Sequence, residues 1–337
     1  LLDDTDLSIT DIAFASGFGS VRQMNRTCQE VFQASPSELR ARRRRADRLI
    51  ADGGLVVRLP FRGPLEWEAM LDYFAARAIP GVEQVADGVY RRTVSVDDAP
   101  GVLELERGGD DHLLLRVHLP YWEGLIHLVE RARRIFSLDM PVDEAMGSLA
   151  GDPVIGPLVK ARPGLRVPGT WDPFETGVRA ILGQQVSVAG ATTLAGRLVE
   201  RLGTPVPGLQ QWGLTHVFPS ASAVAEADLS GVGLPAARAA AVAGFAAAVA
   251  AGDIRLDRSV KLEDLVASVT AVKGLGPWTA HYIGLRMGER DAFPPKDLGL
   301  RRSFARLSDD LDVTVEERAR AWSPWRSAAA VHLWLAG

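Results

Sequence analysis

A Gly-Leu-Gly-Pro stretch between two apolar helical runs constrains this chain more than any other feature. In "VASVTAVKGLGPWTAHYIGLRM", residues 266–287, a helix ends near Val272 and Gly274 and Gly276 permit positive φ and close backbone approach. Pro277 then takes the first position of the next helix, where its missing N–H removes nothing from the hydrogen-bond ladder. Successive amides point outward from such a turn with a helix N-terminus behind them, which makes an anion site. The same glycines would also serve as an ordinary helix C-cap, so the turn alone does not set a function. About 20 residues further on, "FPPKD" places one carboxylate, Asp297, ahead of "LGLRRSF", where it is also a sound helix N-cap.

A length of 337 residues predicts two or three domains. At the N-terminus, Ser8 or Thr10 can cap a helix carrying Ile12, Ala13 and Ala15. Gly17 supplies a break, and Ser20 can cap a second helix carrying Val21, Met24 and Val31. Two short helices joined by a glycine turn read as a helix-turn-helix or a plain helical hairpin over 1–50. "ADGGLVV" (51–57) reads as a boundary. Beyond it "LVVRLPF", "GVYRRTVSV", "GVLELERG" and "HLLLRVHL" alternate in the period of half-buried strands, with a helix from Trp67 to Ala78 between the first two. We expect an α+β module over 54–142 and an all-α domain over 143–337, so the fold class is mainly α with an α+β module. The Ala-rich "LPAARAAAVAGFAAAVAAG" suits a small-residue helix packed closely against its neighbours.

A single cysteine, Cys28, excludes an intramolecular disulfide framework, a cysteine-rich zinc site and a four-cysteine iron–sulfur cluster. No apolar run approaches a membrane span of about 18 residues, and no signal-peptide core opens the chain. A reducing, cytoplasmic setting is expected, with no membrane partner. The net charge of −4 argues mildly against nucleic acid, yet "RARRRRADR" (40–48) is strongly basic while Asp309, Asp310, Asp312, Glu316 and Glu317 gather near the other end. Such a basic block is either a solvated linker or a phosphate contact.

The words of the sequence are more specific than its patterns. "DIAFASGFGSVRQMNRTCQEVFQASPSELR" resembles the second helix-turn-helix of AraC-type regulators, with 20–31 as recognition helix. "GLGPWTA" followed by "FPPKD" resembles the helix-hairpin-helix glycosylases. "FETGVRAILGQQVSVAGA", "GLGPWTAHYIGLR", "FPPKDLGLRRSF" and "SPWRSAAAVHLWL", with the earlier "MLDYFAARAIPGVEQVADGVYRRT", look like the DNA-3-methyladenine glycosylase II (AlkA-like) family, over nearly everything after residue 55. The whole resembles a fusion of the Ada–AlkA type; the chain begins at Leu1, and an upstream part is expected to be missing.

The resemblance implies a DNA glycosylase that flips an alkylated purine from duplex DNA and hydrolyses its N-glycosidic bond, as a bacterial, nucleoid-associated monomer. Asp297 matches the family's catalytic aspartate, and Trp278, Tyr282, Trp334 and Tyr73 match its base pocket, although each aromatic alone is commonly core. An electron-rich cleft favours cationic purines by about 0.5–2 kcal/mol per contact. Lys296 stands where relatives can carry another acid. Trp278 occupies the position of the lysine that gives bifunctional relatives strand cleavage, so the enzyme would leave an intact abasic strand. The amides of Gly274 and Gly276, with Lys273 or Arg286 nearby, would hold DNA phosphate, with a sodium or potassium ion at the hairpin and otherwise no cofactor or metal. Val167, in "RVPGTWDPFE", would be the wedge that fills the hole left in the stack. Methyl transfer to cysteine is not expected, because Cys28 lacks the partners it needs. Alternatives are a DNA-binding regulator or damage sensor with a glycosylase-like body, and a glycosylase for oxidised or deaminated bases.

Overall fold

The computed structural model describes residues 2, 7–32, 34–43, 54–96, 99–119, 125–308 and 312–336. Helix α1 (Ile9–Ala15) starts where the Ser8 side chain accepts the amide of Asp11, and the chain turns at Gly17 with φ +81°. The Ser20 hydroxyl accepts the amide of Gln23 at 3.1 Å and opens α2 (Val21–Phe32). Ser35 and Glu38 cap α3 (Pro36–Arg43) reciprocally. Ile12, Ala13, Met24 and Cys28 form the buried seam, and burial pushes the Cys28 thiol up. Arg22, Gln23, Arg26, Gln29 and Glu30 line the exposed side of α2. Most of the basic block, with residues 51–53 of the "ADGG" boundary, lies outside the described residues.

The α+β module follows: β1 (Leu55–Pro60), α4 (Trp67–Ala75), β2 (Glu83–Ala86), β3 (Val89–Val96), β4 (Ala99–Arg107) and β5 (His112–His118). The sheet is antiparallel in the order β1-β5-β4-β3-β2, with Val57 opposite Leu115 and Leu59 opposite Leu113. Period-two alternation in β1 sends Leu55, Val57 and Leu59 inward, as expected of a half-buried strand. Strand β2 has no apolar alternation to announce it. Its signal is Asp87-Gly88, both at positive φ (54° and 74°), the residue pair of a tight hairpin into β3.

Helices α5 (Leu125–Ile135), α6 (Val142–Leu149) and α7 (Ile155–Ala161) lead into α8 (Pro173–Leu182) and α9 (Val188–Leu202). A small ribbon of β6 (Thr204–Pro205) and β7 (His216–Val217) precedes α10 (Ala221–Glu226), α11 (Ala236–Ala251), α12 (Leu262–Thr270), α13 (Pro277–Met287), α14 (Leu298–Leu307), α15 (Val315–Arg318) and α16 (Arg326–Ala336). The Ala-rich run is α11, and its small side chains bring it close to α8. Phe245 stacks on Phe174 at 5.8 Å, and a methyl on Gly177 would collide with the Phe245 ring. Among the described residues no helix is long and apolar enough to cross a membrane.

Sheet and helices are joined by buried charge. Arg92 on β3 pairs with Glu175 on α8 at 2.6 Å, and Arg179 on α8 pairs with Glu83 on β2 at 2.7 Å. Arg179 also holds Glu175 at 3.1 Å and donates to the carbonyl of Arg77. Tyr90 donates its hydroxyl to Glu83 at 2.6 Å. Two carboxylates alternate with two guanidiniums, so each buried charge has a partner; removing one member leaves an uncompensated charge. Burial pushes the Glu83 carboxyl up, but Arg179 and Arg92 outweigh it and hold it down from 4.5 to about 2. A carboxyl lowered by folding stabilises the protein above its unfolded value and ceases to do so as pH falls through its folded one. We therefore expect Glu83→Gln to cost roughly 3 kcal/mol of unfolding free energy at pH 7, with the gap to wild type closing between pH 4.5 and about 2 in urea titrations. A gap independent of pH would contradict this.

Candidate active site at the hairpin

The turn between α12 and α13 has the expected geometry. Gly274 adopts φ +90°, Leu275 turns its side chain into the core, and Gly276 is the extended N-cap of α13 with Pro277 behind it. The amides of Lys273, Gly274 and Gly276 meet no acceptor among the described residues, and Lys273 and Gly274 are exposed. An exposed row of amides at a helix N-terminus is suited to a phosphate.

One turn of α13 separates Trp278 from Tyr282, so their rings stack at 5.3 Å and 10°. Helix α16 brings Trp334 to 6.1 Å from Tyr282. Asp297 is both an N-cap and the centre of this group. Its Oδ1 accepts the Leu300 amide at 2.8 Å and the Trp334 indole N–H at 3.0 Å; its Oδ2 accepts the Trp278 indole N–H at 2.8 Å. Three donors from three helices fix the carboxylate while leaving it partly exposed at one side of a cleft. Lys296, at φ +59°, is exposed, and its amide is held by Glu316 at 2.9 Å.

Tyr73 of α4 completes the floor, so the α+β module contributes a wall to a site otherwise built by the helical domain. The Arg286 guanidinium donates to the hydroxyls of Tyr73 at 3.1 Å and Tyr282 at 3.0 Å, and to the carbonyls of Pro168 and Gly169 at 2.6 Å each. Burial pushes the Tyr73 phenol up to about 12. Burial acts on Tyr282 in the same direction, but Arg286, the hydrogen bond from Tyr73, Arg77 and Arg179 together bring it down to about 8. Arg77 lies 3.9 Å over the Tyr73 ring.

The structure gathers Asp297, Trp278, Tyr282, Trp334 and Tyr73 around one cleft, with Lys273, Gly274 and Gly276 at the neighbouring turn. Two expectations are corrected. Val167 is only 8 % exposed, its carbonyl is held by Ser137, and it borders a different cavity with Arg133, Arg258 and Trp325; it cannot enter a DNA stack. Arg286 is 6 % exposed and committed to tyrosines and carbonyls, so it contacts no phosphate. What sequence reasoning missed is the loop 183–187 at the rim of the cleft. There Gln185 is exposed at φ +57° and Val186 is 38 % exposed, and Val188, the first residue of α9, is 45 % exposed beside them. The two valines in "GQQVSV", between a helix end and a Ser N-cap, were the available signal. Arg77 and Arg179 were also missed, because neither belongs to a motif.

A carboxylate held by indoles beside an aromatic cleft, with a hairpin of free amides next to it, has the layout of a base-excision site. Family models agree with that class: residues 178–327 match the HhH-GPD superfamily base excision DNA repair protein, 56–172 the AlkA N-terminal domain, and 1–42 a helix-turn-helix domain. The chain is 38 % identical over 99 % of its length to 68 % of the probable bifunctional transcriptional activator/DNA repair enzyme AlkA of Mycobacterium tuberculosis. It is 34 % identical over 82 % of its length to 95 % of DNA-3-methyladenine glycosylase 2 of Escherichia coli. The chain belongs to the DNA-3-methyladenine glycosylase 2 family. Its fold is that of the 3-methyladenine DNA-glycosylase of Archaeoglobus fulgidus (TM-score 0.72, 22 % identity, 82 % of this chain and 97 % of that one). The 8-oxoguanine glycosylase/lyase of Clostridium acetobutylicum, solved with DNA, shares it (TM-score 0.64, 17 % identity, 84 % of this chain and 94 % of that one).

The hairpin yields its own test. Gly274→Ala forces a side chain into the left-handed region, and we expect a stability loss of roughly 1–3 kcal/mol together with weaker binding of duplex DNA by fluorescence anisotropy. Unchanged affinity would remove the hairpin from the DNA contact.

Proposed function

We propose that the chain is a monofunctional glycosylase that excises alkylated purines of the 3-methyladenine type from duplex DNA. The observation that carries this reading is the Asp297 carboxylate, anchored by two indoles and an amide beside a cleft walled by Trp278, Tyr282, Trp334 and Tyr73. The hairpin amides hold a phosphate next to the lesion, and the damaged base turns out of the stack into the cleft. Alkylation on a ring nitrogen makes the base cationic, weakens its bond to sugar and favours stacking on electron-rich rings. As the C1′–N bond lengthens, positive charge grows on the sugar, and Asp297 stabilises it and orients the attacking water.

The residue two positions beyond Gly276 is Trp278, whose indole cannot form a Schiff base, so the strand is left uncut at the abasic site. The hole in the duplex is filled by the tip of loop 183–187, where Gln185 and Val186 stand out from the rim. No organic cofactor takes part. A sodium or potassium ion would sit at the Gly274–Gly276 hairpin. The protein acts as a monomer on cytoplasmic, nucleoid DNA. A second reading, a sequence-specific DNA contact by the N-terminal unit, draws on the polar face of α2.

Asparagine caps helices as well as aspartate does, so Asp297→Asn separates the two duties of this residue. On methylated duplex DNA we expect the wild type to release 3-methyladenine and leave an alkali-labile but uncut strand. The variant keeps the cap and the Trp334 bond on its one oxygen but gives up the Trp278 bond, so it should melt slightly lower and release the base at least about 100-fold more slowly. Full activity in the variant, or strand cleavage by the wild type, would count against the reading. Replacing Gln185 and Val186 together by alanine should slow release by roughly tenfold and also weaken binding of DNA that carries an abasic site, whose stack has the same hole to fill.

A further inference from the structure

The floor of the cleft contains a hydrogen-bond donor that the chain itself does not satisfy. Arg286 Nη1 carries two hydrogens and gives one to the Tyr73 hydroxyl oxygen at 3.1 Å and one to the Tyr282 hydroxyl oxygen at 3.0 Å. A guanidinium accepts nothing, so neither phenol can return its proton to Arg286. The two hydroxyls lie 3.5 Å apart, and one proton can bridge them. The other phenol proton has no acceptor among the described residues. A buried donor left unmet is unfavourable, and a site holds one when a ligand supplies the partner.

The surroundings decide which phenol carries the free proton. Tyr73 is 4 % exposed and crossed by Arg77, whereas Tyr282 is less deeply buried and stacks on Trp278, the ring nearest the catalytic carboxylate. Tyr73 therefore donates to Tyr282, and Tyr282 donates into the cleft. Three cations face this pair, Arg286 on α13, Arg77 just beyond α4 and Arg179 on α8, while α16 presents the uncharged Trp334 ring. Asp297, the nearest carboxylate in the cleft, is turned toward two indoles, and Glu83 and Glu175 are engaged by Arg92 and Arg179. Three cations around a phenol stabilise its phenolate, consistent with its lowering to about 8.

We propose that Tyr282, set by Arg286 and Tyr73, is a catalytic acid that gives its hydroxyl proton to a ring acceptor of the flipped purine as the C1′–N bond breaks. The electron pair of that bond passes to the purine, the Tyr282 proton moves to a ring nitrogen, and the resulting phenolate is held by Arg286 and Tyr73. Water adds to C1′, and its proton returns to the phenolate through solvent. A purine that is already cationic departs as a neutral molecule and needs no proton; an uncharged one does. The inference rests on the glycosylase reading above and adds to it a residue that separates the two kinds of leaving group.

The test uses the full chain, single-turnover conditions and two duplexes of one sequence, carrying either hypoxanthine, which is uncharged, or 7-methylguanine, which is cationic. Tyr282→Phe keeps the stacked ring and removes the proton. We expect it to slow hypoxanthine release by about 100-fold and 7-methylguanine release by less than about threefold. In the wild type, hypoxanthine release should fall about tenfold per pH unit above about 8, because the donor is lost as pH rises through that value, while 7-methylguanine release should not. Ultraviolet titration, simplified by the chain's four tyrosines, should show a phenolate forming near pH 8 in the wild type and not in Tyr282→Phe. Equal slowing of both bases by Tyr282→Phe, no slowing of either, or a wild type that releases 7-methylguanine but never hypoxanthine would overturn the proposal and leave the glycosylase standing. Release of neither base by the wild type would remove the glycosylase reading itself.

Discussion

Four alternating charges, Glu83, Arg92, Glu175 and Arg179, sit at the junction of sheet and helices, and the cleft depends on where they put α4. Ions buried this deeply are tolerated only when each is paired, so the array admits one arrangement of β2 and β3 against α8. Arg179 then reaches the Arg77 carbonyl just past the end of α4 and fixes the end of the helix that carries Tyr73. From the other side Arg286 grips the Tyr73 hydroxyl and the loop before α8. The α+β module thus closes a cleft that the helical domain alone would leave open.

On the helical side, one carboxylate has a structural duty in the fold and, in the proposed mechanism, a chemical one. Asp297 begins α14 through its bond to the Leu300 amide, and its oxygens also take the indoles of Trp278 and Trp334. These bonds keep the carboxylate from turning and hold the two largest rings of the cleft in place. Helix capping and placement of a charge near a reacting sugar need the same thing, a rigid acceptor at a helix start. The two readings that the sequence leaves open for Asp297 are therefore compatible.

Local patterns carried far in the sequence. The hairpin, the strands with regular alternation and the N-caps at Ser8 and Ser20 depend on neighbours a few residues away, and all were legible. Strand β2 was not, because Glu83-Gln84 hides its period and its place is set by the pairing of Glu83 with Arg179, which is 96 residues distant. Val167 was assigned as the wedge by resemblance alone; its burial comes from Ser137 and the packing of α5, which no local pattern records. Arg286 follows the hairpin closely in the chain and so suggested a phosphate contact. Its spacing of four from Tyr282 already placed it on the tyrosine side of α13, a reading that helical periodicity supported and motif adjacency obscured.

The central claim is that Asp297 stabilises positive charge on the sugar, and its most direct measurement is a binding comparison. One duplex would carry a cationic pyrrolidine ring in place of the lesion sugar, another the uncharged tetrahydrofuran. The account predicts that the wild type binds the cationic duplex at least about 100-fold more tightly, as enzymes do charged analogues of their transition states, and that Asp297→Asn erases this preference without weakening binding to the neutral duplex. An equal preference for the cationic ring in both proteins would contradict it.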